Sequence, residues 1–560
     1  MWYNLNMFIK ITRSGKYEYV QIVRSKKVNG VTRHEVLINL GRKDEIENNP
    51  MYQRLAKKLL ELSGLHDTKK NIEDSSEATI RNWGYIVYKR LWDKFELTSC
   101  LEDIRKRDSK ATFNLAQTTF LMVIQHLIEP LSKLGTFNHQ DRYAKLPELK
   151  LQHLYRSLDI LSQRKEKIED HIFALNYNLL NMNIDVVFYD VTTFAFESVN
   201  QDELRDFGYS KDNKYNEVQV VMGLLIDSDG FPIGYELFNG STFDGKTMQE
   251  ALNNLKKRFG IRRVVIVADR GLNSKINLRM IRDAGYGYIV ASRIRKMGSK
   301  IQQQILDSEG YREIQGPVEH KGEREKLRYK ILEHDNFVHD EEGNIYRLDE
   351  NLIVTYSKRR AEKDKADRDR LIEKAKRLVE EPCKINAGIK RGGRKYLKKD
   401  SEETKDTHWI LDEEKIRTDE QFDGYYGIQT SEKNTKPEDI LEAYHTLWKI
   451  EQSFRIMKST LEVRPIFHWT ESRIKGHFVV CFLAFLLERK LEYELNKAGI
   501  TDASPERIRE AINKMEFAEI ELKGTTYYIK TKGTELSNKI LKALHIQPPK
   551  TVLSVEEFNG

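Results

Sequence analysis

The sequence predicts an α/β core set among helical regions and preceded by a small antiparallel sheet, and three observations lead there. Short, nearly continuous apolar runs alternate with helix-period segments between residues 181 and 295. Upstream of them, Trp83 to Glu169 keeps a helical period throughout. Residues 7 to 40 instead alternate apolar and polar positions around two turn signals, the pattern of paired strands with one solvated face.

The elements follow in order. In residues 1–45, Phe8/Ile9/Ile11 and Tyr17/Tyr19/Val20 flank Gly15-Lys16, and Asn29-Gly30 precede Val36/Leu37/Ile38, so three antiparallel strands are expected, ended by Gly41. Residues 46–180 are helical: a short helix at Met51 to Leu65, a polar acidic linker from Asp67 to Ala78, then helices clearest at Ala111 to Leu131 and Leu151 to Leu161, punctuated by Pro130 and Pro147. Across 181–295 the period changes. Strands are expected at Ile184 to Val191, Val218 to Ile226 and Phe231 to Phe238, a helix at about Lys246 to Arg258, a strand at Arg263 to Ala268, a helix at Lys275 to Asp283 and a strand at Tyr288 to Ser292. Residues 296–430 are β-rich and basic, with strand-like pieces at Leu327 to Leu332, Ile345 to Leu348 and Leu352 to Tyr356, a charged helix at Lys358 to Glu381, and a glycine- and lysine-rich stretch from Gly388 to Lys399. Long helices return in 431–500, and 501–560 read as a polar helical tail with one short strand near Thr525 to Ile529.

With 560 residues the chain has room for about three or four domain-sized units. Apolar residues at 39% and charged residues at 32% exclude collagen-like and disordered classes. The 94 Lys and Arg exceed the 86 Asp and Glu by only eight, yet residues 355–400 alone hold 17 basic and 8 acidic side chains, a local +9. Cys100, Cys383 and Cys481 are scattered and odd in number, which suggests neither a disulfide framework nor a cysteine-built zinc site and fits a reducing cytoplasm. The first residues lack a secretory pattern, and the longest apolar run, Phe478 to Leu487, is half of a membrane span and reads as a buried helix. No membrane association is expected.

Two carboxylates stand out. Asp190 ends the run Val186-Val187-Phe188-Tyr189, and Asp269 ends Val264-Val265-Ile266-Val267-Ala268. Each alone reads equally well as a cap on the next turn. As a pair closing two buried strands of one α/β unit, they fit a divalent cation, since buried charges are costly unless matched. The segment Tyr444 to Lys458 places Tyr444, Leu447, Glu451 and Lys458 at offsets 0, 3, 7 and 14, one face of a single helix. There Glu451 is either a salt-bridged surface glutamate or a third metal ligand. Three carboxylates suit two Mg²⁺ ions, with Mn²⁺ as substitute, in phosphoryl transfer. Lys449, Arg455, Lys458, Arg473 and Lys475 offer positive charge to a polyanion or form a solvated surface.

These motifs together resemble the DDE transposases of bacterial insertion sequences, in the branch of the IS-four superfamily whose ribonuclease-H-like core carries a mostly β insertion. The resemblance covers most of residues 80 to 500 and extends to the N-terminal sheet. Asp190 to Ser198, DVTTFAFES, is similar to the family's first acidic segment, and Val267 to Gly271, VADRG, to its second. Tyr444, Glu451 and Lys458 match the family's helix signature, while Leu447 stands where it has Arg, so that Arg's role does not carry over. The 182 residues from Asp269 to Glu451, against 79 from Asp190 to Asp269, agree with an insertion at 296–430. The resemblance implies catalytic, metal-holding Asp190, Asp269 and Glu451. It implies end cleavage and strand transfer on DNA with terminal inverted repeats, a target DNA, and a DNA-assembled homodimer in a bacterial cytoplasm. DNA contacts are expected from Tyr444, Arg455, Lys458 and Arg473, from Lys390, Arg391, Arg394 and Lys395 of the basic insertion, and from the helical region 46–180.

His468, Arg473 and His477 lie near that signature, and with two His and no Cys in reach they do not suggest zinc; for His477 buried packing is the plain alternative. Trp448, Trp469 and Tyr425 are candidates for base stacking or core packing. A stand-alone nuclease or resolvase on the same fold, and a DNA-binding protein with a vestigial site, are the rival readings.

Overall fold

The computed structural model describes residues 7–28, 31–63, 78–179, 186–196, 199–208, 217–242, 247–248, 250, 253, 257–259, 265–318, 324–339, 343–381, 392–399, 409–463, 466–501, 503–522 and 525–558. Of the helix expected at Lys246 to Arg258 only residues 247–248, 250, 253 and 257–258 are described, and the linker Asp67 to Ala78 for all but Ala78, and Lys390 and Arg391, lie outside the described residues. The chain divides into two units, one of Met1–Leu179, Ala195–Val199 and Ser453–Gly560, the other of Leu180–Phe194 and Asn200–Gln452.

The first unit opens with β1 (Met7–Ser14), β2 (Tyr17–Val28) and β3 (Val31–Arg42), an antiparallel meander as expected. Gly41 does not end the sheet: it takes φ +107° and still opposes Val20, at a register shift in the β2–β3 pair. The unit's core is the helix Glu471–Lys497, apolar on nearly every side from Phe478 to Leu487 and buried accordingly. Helices Ile86–Lys94, Leu115–Ile128 and Leu151–Gln163 pack around it. Gly476 permits the closest of these approaches, because a Cβ there would lie 2.1 Å from the Leu158 carbonyl oxygen. Among the described residues no helix is long and apolar enough to cross a membrane. The C-terminal region keeps the expected helices and the strand expected near Thr525 to Ile529, and adds two strands that were not expected. Its strands β16 (Glu516–Leu522), β17 (Thr525–Lys530) and β18 (Val552–Ser554) join β4 (Thr79–Asn82), far upstream, in one antiparallel sheet. Short strands with interspersed charge carry little periodic signal, and a partner more than 400 residues away leaves none.

The second unit is built on a mixed sheet. In chain order its strands are β5 (Val186–Ala195), β6 (Gln219–Asp227), β7 (Pro232–Asn239), β8 (Val265–Ala268), β9 (Gly287–Ala291), β10 (Arg312–Val318), β11 (Arg324–His339), β12 (Ile345–Tyr356) and β15 (Tyr425–Thr430). In space they run β10-β11-β12-β15-β9-β8-β5-β6-β7. β5, β8 and β9 are parallel at the centre, and their continuous apolar sequences are those of strands covered on both faces. The β-rich segment does not build a separate sheet for these strands: β15 pairs antiparallel with both β9 and β12, so β10 to β12 extend the core sheet. A two-stranded ribbon, β13 (Leu397–Lys399) with β14 (Trp409–Leu411), packs on the helix Lys358–Glu380. The architecture is thus mixed α/β, with an N-terminal antiparallel sheet and a larger mixed sheet flanked by helices, consistent with a ribonuclease-H-like core with a β insertion.

One buried charge gives the first unit a pH signature. Glu488, on the central helix, accepts a hydrogen bond from the Tyr88 hydroxyl at 3.0 Å. Burial, and next the negative charge of Glu492, push its carboxyl up to about 7. A carboxyl whose folded pKa lies above its unfolded value favours the fold below about pH 4.5 and loses that contribution as pH rises through about 7. Glu488→Gln, which keeps an acceptor for Tyr88, should therefore melt like the wild type at pH 5 but be more stable by about 2 kcal/mol at pH 8.5, as measured by chemical denaturation at both pH values.

Candidate active site

The parallel register of β5 and β8 pairs Val186 with Val265, Val187 with Ile266 and Phe188 with Val267. Asp190 and Asp269 each stand two residues beyond the last of these pairs. That register sets Asp190, within β5, and Asp269, one residue past the end of β8, at corresponding positions on neighbouring chains about 4.8 Å apart. Both residues are half-buried. Asp190 Oδ1 accepts the Val191 amide at 2.8 Å, and Asp269 Oδ1 accepts the Gly271 amide at 2.7 Å. The turn-capping contact foreseen for Asp269 therefore exists, and it engages one of its two oxygens. Among the described residues neither Asp269 nor Glu451 has an ion-pair partner.

Tyr444 comes into the field of Asp269. It lies near the end of the helix Pro437–His445, which packs on β8, β9 and β10. Its hydroxyl is 2.7 Å from that of Tyr426 on β15, whose ring lies 4.3 Å from the Arg360 guanidinium and 6.0 Å from that of Arg270. Burial raises the Tyr444 pKa above the ordinary phenol value, Tyr426 and the negative charge of Asp269 raise it further, and Arg270 opposes. Tyr444 is held as a neutral phenol able to donate.

The single helix expected from Tyr444 to Lys458 is not what forms. The helix stops at His445, turns at Thr446 and Leu447, resumes over Trp448–Arg455 and widens into a π-turn at Ile456–Thr460. The Thr446 hydroxyl bonds back to the Glu442 carbonyl at 2.9 Å, and the Leu447 and Ile450 amides bond three residues back, which tightens the turn and rotates everything after it. The shared face is lost as a result. Leu447 is buried, whereas Glu451 is exposed. The segment bearing Glu451 is tethered by Lys449, whose ammonium donates to the Ser228 carbonyl at 2.6 Å in the β6–β7 turn. Beside it burial pushes the Asp227 carboxyl up to about 6, opposed by the Phe231 and Asp229 amides that donate to it and by the charge of Lys449.

The expected DNA-contacting cations are variously engaged. Arg394 donates to the Leu397 carbonyl at 2.6 Å and lies 3.8 Å from the centre of the Trp409 ring, and Lys395 pairs with Asp419, so both tie the β13–β14 ribbon to its surroundings. Arg473 pairs with Asp159 at 3.6 Å and lies 5.1 Å from the Tyr155 ring. Arg455 is exposed and acts on the carboxyls of Glu492 and Glu506, and Lys458 is half-buried. Trp448 and Trp469 are exposed rather than packed in the core, and Tyr425 is half-buried.

Sequence reasoning missed one constellation in the first unit. His477 is buried and hydrogen-bonded, as its plain reading held, but a cysteine is in reach after all: Cys481 Sγ is 3.5 Å from His477 Nε2. With His126 they present ligand-type atoms within 4.8 Å of one another. The i, i+4 spacing of His477 and Cys481 was visible in the sequence, whereas His126, on another helix, was not. Between the imidazoles lies Lys133, 3.2 Å from His126 Nε2 and 3.4 Å from His477 Nδ1.

A family model described as the transposase DDE domain matches residues 182–487. A second, the N-terminal domain of IS1634 family transposases, matches residues 9–67. No curated protein matches the chain. Among solved structures, a piggyBac transposase synaptic complex with hairpin DNA aligns over 78% of this chain and 82% of its own, at 9% identity and a TM-score of 0.34. A Mos1 transposase paired-end complex with the left transposon end aligns over 42% and 70%, at 12% identity and a TM-score of 0.15. Both scores are too low to define a shared fold.

The ribbon contacts give a stability test. Asp419 is buried and held by Lys395 and Lys415. Lys395→Met leaves it one cation and should cost about 1 kcal/mol in urea denaturation, whereas Lys398→Met, on the exposed side of the same ribbon, should cost nothing measurable.

Proposed function

This chain belongs to the transposase DDE domain family, and from that premise we propose that it cleaves DNA at the ends of an insertion sequence and joins those ends to target DNA by metal-dependent phosphoryl transfer. The observation that supports the proposal is that Asp190 and Asp269 each follow by two residues the last pair, Phe188 with Val267, of two adjacent parallel strands. Together with Glu451 they would make an all-carboxylate donor set, a chemistry that fits hard cations such as Mg²⁺, or Mn²⁺ in its place. Two such ions held there would polarise the scissile phosphate and stabilise its leaving oxygen.

The chain's own residues have distinct parts in this proposal. Asp190 and Asp269 hold the cations, and the neutral Tyr444 donates toward a phosphate oxygen. Lys449 fixes the segment that presents Glu451. Arg455, Lys458, Arg473, Arg394, Lys395 and the two cations outside the described residues, Lys390 and Arg391, contribute to phosphate binding by what their present partners leave exposed. The partners proposed are duplex DNA with terminal inverted repeats, a target duplex and a second copy of the chain assembled on DNA. The helical region 46–180 and the basic segment of 296–430 are proposed to grip the duplex, while 181–295 and 431–500 form the catalytic core. The motif order Asp190, Asp269, Glu451 supports the narrower placement in the IS-four branch, and the match at residues 9–67 supports an insertion-sequence element.

Asp269→Asn nearly preserves volume while removing the charge. Cleavage and joining of a labelled duplex bearing the native terminal repeat should both fall by at least about 10²-fold, while binding without metal and the melting profile stay unchanged. Full activity in the variant would remove Asp269 from the mechanism, and wild-type binding without cleavage under any divalent metal would favour a DNA-binding role alone.

A further inference from the structure

The environment of Lys133 in the first unit calls for a ligand that the phosphoryl-transfer site does not explain. Its side chain is 2% exposed. Its described hydrogen-bond partners are two imidazoles, and no carboxylate appears among the groups acting on its charge. Those imidazoles are neutral and fixed in tautomer by the backbone. His126 Nδ1 donates to the Leu461 carbonyl at 3.3 Å, and His477 Nε2 to the Val463 carbonyl at 3.1 Å, so the remaining nitrogen of each accepts from the ammonium. Both lone pairs that a metal would need are thereby directed at Lys133, and a cation could bind only by displacing another cation.

The same groups line a cavity of about 280 Å³, together with Ser132 and His468. Glu462, exposed, is the one acidic residue among the lining groups. Lys133 brings a positive charge to this lining, and burial, and then the charges of Lys133 and Arg473, push the His468 imidazole down to about 3. A buried cation without a counter-charge is costly, and an anion beside it recovers that cost. The volume falls just below the range of drug-sized ligand sites, which suits a small oxyanion rather than a whole nucleotide.

We propose that the cavity formed by Lys133, His126, His468 and His477 is a binding site for a phosphate-class oxyanion, with the Lys133 ammonium as its charge partner and the Ser132 hydroxyl and His468 as further hydrogen-bonding groups. The phosphate is either free in solution or the terminal phosphate of a nucleic-acid strand. The site is independent of the carboxylates assigned to catalysis.

The test is calorimetric titration of the full chain with inorganic phosphate. The wild type should bind one equivalent with a Kd of about 1 mM or tighter, and Lys133→Met should weaken binding at least tenfold. His468→Gln, which spares the bonds to Lys133, should weaken it severalfold. Competition by a duplex with 5′-phosphate ends, but not by the same duplex with 5′-hydroxyl ends, assigns the anion to a DNA terminus; absence of competition assigns free phosphate. No saturable binding to the wild type, equal binding by Lys133→Met, or stoichiometric Zn²⁺ uptake that excludes phosphate would overturn the proposal. Should Lys133→Met fail to fold, undiminished binding in both His468→Gln and Ser132→Ala would overturn it equally.

Discussion

The candidate active site depends on one constraint, the parallel register of β5 against β8. Pairing Phe188 with Val267 sets Asp190 and Asp269 at corresponding positions along neighbouring chains. A slip of one residue in either strand would turn one carboxylate to the opposite face of the sheet. That register is enforced from both sides, because Val187, Phe188 and Tyr189 on β5 and Ile266, Val267 and Ala268 on β8 are all buried. Apolar packing over three residues thus fixes the relation of two charges that would otherwise repel.

The second unit holds the polypeptide after β15 by polar contacts as well. Tyr444 is joined to Tyr426, and Lys449 reaches the turn between β6 and β7. These contacts lie on either side of the break at Thr446 and Leu447, so each helical piece has its own anchor. A single rigid helix would have put Glu451 and Leu447 on one face. The break lets Leu447 enter the core while Glu451 stays in solvent. The same unit shows how a basic segment can be structural: the guanidinium of Arg368, in the net-positive stretch, is buried against Asp423 and Glu420.

In the first unit the buried charges are matched unevenly. Glu488 has a phenol and nearby arginines, and its carboxyl is held high by burial. Lys133 has imidazoles in place of a carboxylate, and burial lowers its ammonium to about 8. The contrast is one of geometry. Glu488 sits on a helix whose neighbours bring Tyr88 and Arg509 toward it, whereas the helices around Lys133 bring histidines whose other nitrogens are already committed to carbonyls.

By itself the sequence determined whatever rests on local periodicity and turn chemistry. The N-terminal meander, the central helix around Phe478 to Leu487, the apolar strand segments leading to Asp190 and Asp269 and the charged helix from Lys358 were all legible, because side-chain period and Gly or Pro punctuation act over a few residues; that β5 runs on past Asp190 to Ala195 was not. The order of the acidic motifs was legible too. Tertiary structure decided what depends on partners distant in the chain. It placed β15 between β9 and β12, so that the β-rich segment became part of the core sheet, and it drew β4 into a sheet with β16 to β18. It bent the Tyr444 to Lys458 segment through a back-bonded threonine, and it brought His126 and Lys133, each on its own helix, to the His477–Cys481 pair on a third. Strand order and side-chain convergence are set by the burial of surfaces contributed from remote segments, and no window of sequence contains both halves of such a contact.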